Sequence, residues 1–153
     1  MANNEGFSTI GTLMSFTTDV PATNDLAGMA ALTYTPWDRL ENIGDVGPED
    51  EEIEWVPVST GVVEKIQSVR NNGMMDMTAA DVPDNPGQIV FVTAQGNRTV
   101  LSVKEELPTG EILYFRATPL SARKGVGDAK GMLKIMPKMS VTGDIFADIT
   151  NLN

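Results

Sequence analysis

Two segments bring together side chains that could do chemistry. Residues 123–131 read RKGVGDAKG, placing Arg123, Lys124 and Lys130 among Gly125, Gly127 and Gly131. Basic groups on a glycine-rich backbone could cradle a phosphate. A phosphate loop, however, ends in Gly-Lys-Ser/Thr or keeps a Gly-x-Gly-x-x-Gly spacing, and it opens a helix. This stretch has neither pattern and lies between two strand-like segments, so it reads as a flexible basic loop. The second segment holds Asp45, Glu49, Asp50, Glu51, Glu52 and Glu54. Carboxylates at that density could hold calcium, yet the alternating Asp/Asn spacing and central glycine of a calcium-binding loop are absent. Like charges this close repel one another. They predict a long acidic loop over about 45–57, either simply solvated or, as its length favours, ordered on meeting a partner.

Other chemistry has little to stand on. Histidine and cysteine are both absent from the 153 residues, which removes the usual metal ligands, the thiolate nucleophile and the neutral-pH base. Carboxylate–lysine or Ser–Lys chemistry has no motif. The reading is therefore a non-enzyme with no cofactor and no metal. Asn97-Arg98-Thr99 is a glycosylation sequon by pattern alone. The opening MANNEGF has no basic or long apolar run, so no signal peptide is expected. The longest apolar stretches, 26–32 and 89–92, are too short to span a bilayer. Net charge is -10, and residues 1–56 hold eleven acids against the single base Arg39, while 57–153 hold ten of each. Tight nucleic-acid binding needs phosphate-neutralising Lys and Arg. An acidic surface past which DNA slides does not.

The elements that carry these residues read as mainly β, in one domain over 1–153. Residues 98–107, 111–120 and 132–142 are three consecutive strands, with a turn at Pro108-Thr109-Gly110 and the basic loop before the third. In the third, Leu133, Ile135, Met139 and Val141 alternate with Lys134, Lys138, Ser140 and Thr142, the period of a half-buried strand. Met132 and Met136 fall on the polar parity, where adaptable apolar side chains suit a subunit interface. Further strands are expected at 7–19, 37–45 and 74–79. Residues 61–69 fit helix or strand. Asn24-Asp25 caps one or two helical turns, and Asp84-Asn85-Pro86-Gly87 starts a short helix ending near Gly96.

In order, these segments resemble the major tail tube proteins of long-tailed bacteriophages. The resemblance covers roughly 37–143. Trp37-Asp38-Arg39-Leu40 precedes the acidic loop; then come 74–79, the helix start at 84–88, the hairpin around Pro108-Thr109-Gly110 with Phe115 on its second strand, a loop, and a long strand to Gly143. The motif that often leaves the loop, ending Asp-Val-Thr, is here Trp55-Val56-Pro57-Val58-Ser59. The resemblance implies a β-sandwich or barrel-like tail tube fold with one short flanking α-helix; with few residues after Gly143, no appended immunoglobulin-like domain is expected. It implies hexameric rings stacked into a hollow virion tube, made in the host bacterial cytoplasm. That tube is assembled around a tape-measure protein, bounded by tail-tip and tail-terminator proteins, and passes double-stranded DNA without binding it specifically.

Within that frame, the acidic loop is expected between rings, with Arg123, Lys124 and Lys130 of a neighbour as its counter-surface. Met132 and Met136 are expected at a subunit interface, and Asp19, Asp38 and Glu41 at the lumen. No membrane association is expected. The alternative reading is a monomeric β-sandwich binding or adhesion module.

Overall fold

The computed structural model describes residues 6–127 and 131–152. Its centre is the expected meander: β8 (Leu101–Glu106), β9 (Ile112–Gly125) and β10 (Lys134–Asp148), paired antiparallel in succession. On one face Leu101 opposes Ala117 and Val103 opposes Phe115, continuing to Ile135 and Met139, all buried. β1 (Leu13–Thr17) adds beside β8, and β2 (Thr35–Trp37) beside β1. Beyond β10 lie β7 (Thr78–Ala80) and β3 (Leu40–Asn42), while β6 (Met74–Asp76) pairs further along β10. The order is β2-β1-β8-β9-β10-β7-β3. The two edge strands are joined only by Asp38 and Arg39 in the chain, so the sheet curls into a nearly closed barrel.

The helix start at Asn85-Pro86 prevails over the strand propensity of Ile89–Thr93. Helix α2 (Pro86–Asn97) begins with Asn85 Oδ1 accepting from Gly87 N at 3.1 Å and ends at Arg98, in left-handed conformation at φ 57°. Its Phe91 ring lies 5.7 Å from both Phe16 and Trp37, and these rings anchor the core. Gly87 is required there, because a methyl group would run into the backbone of Trp37 and the Pro36 carbonyl. A second, shorter helix, α1 (Leu26–Ala30), is capped by Asp25 as expected and lies against β9 and β10. It sits with Tyr34 on the other face of the sheet, where Tyr34 meets Tyr114 at 6.0 Å. The fold thus has two helices: the one flanking helix that the resemblance implied, and the short turns expected after Asn24-Asp25.

The largest departure is the acidic segment. Residues 49–55 are not loop but strand β4 (Glu49–Trp55), paired antiparallel with β5 (Glu64–Asn71) in a separate two-stranded sheet. Asp50 opposes Arg70 and Glu54 opposes Lys65. Cations about a dozen or more residues downstream offset the repulsion that a local reading sees as decisive, and the same pairing makes 64–71 a strand. Three boundaries also move. Arg123–Gly125 extend β9 because Lys134–Met136 pair with them, so the basic loop is shorter and Met132 and Leu133 precede β10. The strand at 37–45 is two short strands, β2 and β3, broken at Asp38 and Arg39. β10 runs past Gly143, at φ 77°, through a register shift to Asp148.

Candidate assembly surfaces

The β4–β5 hairpin stands apart from the barrel, and every residue of β5 is exposed. Its two faces differ because side chains alternate across a strand. One face carries Asp50, Glu52 and Glu54 opposite Arg70, Gln67 and Lys65. Asp50 is the anchor: Arg70 donates to it at 2.8 and 3.3 Å and Gln67 at 2.7 Å. The Arg70 guanidinium holds the Asp50 carboxyl below its ordinary value. Lys65 lies between Glu52 and Glu54 at 3.7 and 3.6 Å. The other face carries Ile53 opposite Ile66, with Trp55, each about half exposed. At the root, Asn72 Nδ2 donates to the Gly143 carbonyl, tying the hairpin to the irregularity in β10. Asp45 lies in the exposed stretch before β4. Glu49 and Glu51 make no ion pair with a described residue.

The basic residues divide. Lys124 Nζ is 3.0 Å from Asp81 Oδ2, whose side chain is 1% exposed. Gln88 donates to the same carboxylate at 2.7 Å, and these two bonds hold Asp81 below its ordinary pKa. Lys124 is therefore engaged within the chain itself. Arg123 has no acidic partner among the described residues, and Lys130 lies outside them. Met132 and Met136 are 66% and 44% exposed, with Leu133 at 46% between Met132 and β10. The three acids assigned to the lumen are all exposed but locally engaged in different ways. The Asp19 carbonyl accepts from Ser102 Oγ at 2.9 Å, Asp38 accepts from Asn85 Nδ2 at 2.8 Å, and Glu41 is 2.8 Å from Lys134 Nζ.

Among the described residues no group of three or more Asp or Glu could hold a metal ion, and no helix is long and apolar enough to cross a membrane. No family model and no curated protein matches the chain. Solved structures do. A chain of the anti-feeding prophage baseplate, six-fold symmetrised, superposes with a TM-score of 0.70 over 97% of both chains at 12% identity. A chain of the tail of an empty gene transfer agent particle, of C6 symmetry, gives 0.62 over 87% of this chain and 92% of its own, also at 12%. A chain of the SPP1 tail tube gives 0.53 over 93% and 77%, at 14%. The chain has a tail-tube fold.

On this tail-tube fold, two features escaped the sequence reading. The apolar hairpin face was hidden because 61–69 had no defined period until β4 supplied a partner. The other is Glu105, on the buried parity of β8 after Leu101 and Val103 and 3% exposed. Its signal was present in the sequence as a carboxylate where the alternation called for an apolar residue.

Proposed function

We propose that this chain is the subunit of a tail tube, self-assembling into stacked hexameric rings that enclose a channel for double-stranded DNA in a virion. The observation that carries the reading is the superposition, over 97% and 87% of this chain, on chains from a six-fold symmetrised baseplate and a tail of C6 symmetry. The exposed hairpin supports it. An isolated two-stranded ribbon is marginal in water, and this one offers an apolar face with Ile53, Trp55 and Ile66 and open charges at Glu49 and Glu51. Stacking rings would cover both. Arg123, with Lys130, is the basic counter-surface that best fits those acids, and Met132 and Met136 would pack at a contact between subunits. A tape-measure protein would set the length, and tail-tip and terminator proteins would bound the ends. The conduit role rests on the acidic charge balance of the chain and on most of its described cations being ion-paired. Electron micrographs of the concentrated protein test the reading. Filaments of constant width with six-fold end views are expected. A strictly monomeric species at every concentration, also with the tape-measure protein present, would overturn it and favour a monomeric binding module.

A further inference from the structure

Glu105 lines a cleft of about 780 Å³ between segments 9–12 and 40–46 and the end of β8. Its Oε2 is buried and makes no hydrogen bond. A buried carboxylate without a partner is unfavourable unless it is protonated or meets a donor. The surrounding charges supply no donor. From segment 40–46 the titratable groups are Glu41 and Asp45, both acids, and Glu41 already binds Lys134. Segment 9–12 has none. On the neighbouring strands Glu105 stands opposite Met14 and Leu113. Lys104 and Glu106 point to the other face and pair with each other at 2.9 Å.

We propose that this cleft receives a cationic side chain from a second copy of this chain, with Glu105 as the buried counter-charge. The acidic rim disfavours an anion, and among the described residues Glu105, Glu41 and Asp45 do not form a group that could hold a metal ion. An ammonium or guanidinium fits: it brings the charge and the donors that Oε2 lacks. The chain has such groups to offer. Arg98 and Arg123 make no ion pair with any described residue. Arg98 precedes the start of β8, so at roughly 3.3 Å per residue it is more than about 13 Å of strand away from Glu105 of its own subunit. A contact that joins one end of a subunit to another part of the next is heterologous, the kind that closes rings or propagates tubes. In the isolated subunit, burial pushes the Glu105 carboxyl up to about 7. A cation arriving from a neighbour would bring it back down, so assembly and ionisation are linked.

The inference rests on self-assembly, and the test separates the two. The carboxyl carbon of Glu105 is followed by NMR against pH in soluble protein, in the assembled form, and in soluble protein with methylguanidinium as an arginine-headgroup probe. Its titration midpoint is expected to fall on assembly and, by less, with the probe. The same midpoint in all three overturns the proposal. Methylguanidinium should also shift the amide signals of residues 9–12 and 40–46, which line the cleft; loss of those shifts in E105Q is expected, and unchanged shifts overturn the proposal. E105Q should also remain folded and raise the concentration threshold for assembly by about tenfold, the loss of roughly one charge-assisted bond; an unchanged threshold counts against the proposal. If wild-type protein never assembles, the tube reading fails, while the response to methylguanidinium still decides the cleft.

Discussion

Glu105 dominates at the scale of single residues because its ionisation opposes folding of the isolated subunit. Its folded pKa is raised to about 7 from 4.5, by desolvation. Below the unfolded value it is protonated in both states and has no effect. As pH rises from there to about 7, the unfolded chain releases its proton first, so soluble protein loses stability across that interval. Asp81 acts in the opposite sense: its pKa is lowered by Gln88 and Lys124, so its contribution is present above its unfolded pKa and lost in acid. The melting temperature of soluble protein should therefore pass through a maximum near pH 5 and decline toward neutrality. E105Q should remove the neutral-side decline and leave the acid-side loss. A scanning-calorimetry series in which both proteins decline equally between pH 5 and 7.5 would contradict the assignment.

Among the elements, the hairpin and α2 behave oppositely. α2 is held by its Asn85 cap and by Phe91 between Phe16 and Trp37, so it belongs to the core. The hairpin has cross-strand bonds but no core behind it, and its stability is local. Its amides are expected to exchange fast in soluble subunit and much more slowly in assembled protein. The charge roles also separate. Neutralising Glu49 and Glu51 should impair assembly without loosening the hairpin, because neither makes an ion pair with a described residue. D50N should speed hairpin exchange even in soluble subunit, because Arg70 and Gln67 both donate to Asp50. Equal hairpin exchange in soluble and assembled protein would exclude it from the contacts.

For the whole molecule, the proposed tube raises the question of which surface would face its channel. The outer face of the meander carries Lys104, Arg116 and Lys138 beside Thr118 and Ser140, but Lys104 pairs with Glu106 and Lys138 lies 3.8 Å from Asp76. Most of its cations are thus neutralised within the subunit. The net charge of -10 leaves the surface acidic as a whole, and Asp19, Asp38 and Glu41 are the acids proposed for the lumen. A negative wall repels phosphates over about 8–10 Å at physiological salt, whereas each added phosphate contact favours retention. Substituting Lys at Asp19 or Asp38 should permit assembly and slow DNA ejection, most at low salt. Ejection rates from particles carrying each variant measure this; unchanged rates at low salt would remove those residues from the lumen. Glu41 is a poorer probe, because its loss also frees Lys134.

Local chemistry was legible in the sequence wherever neighbours in the chain decide the outcome. Alternation identified the buried Ile135, Met139 and Val141, and an Asn-Pro pair started α2. The absence of His and Cys narrowed the chemistry, and the order of elements carried the tail-tube resemblance. Tertiary structure decided whatever depends on a partner distant in sequence. β4 is a strand because Lys65 and Arg70 offset its carboxylates, and Arg123–Gly125 are strand because β10 lies beside them. Lys124 is committed to Asp81, a residue forty-three positions away. Glu105 is buried and unpaired because the barrel closes segments 9–12 and 40–46 around it without supplying a cation. Repulsion and periodicity act between neighbours along the chain. Charge pairing and desolvation act through space, so they become definite only once the fold has set the distances.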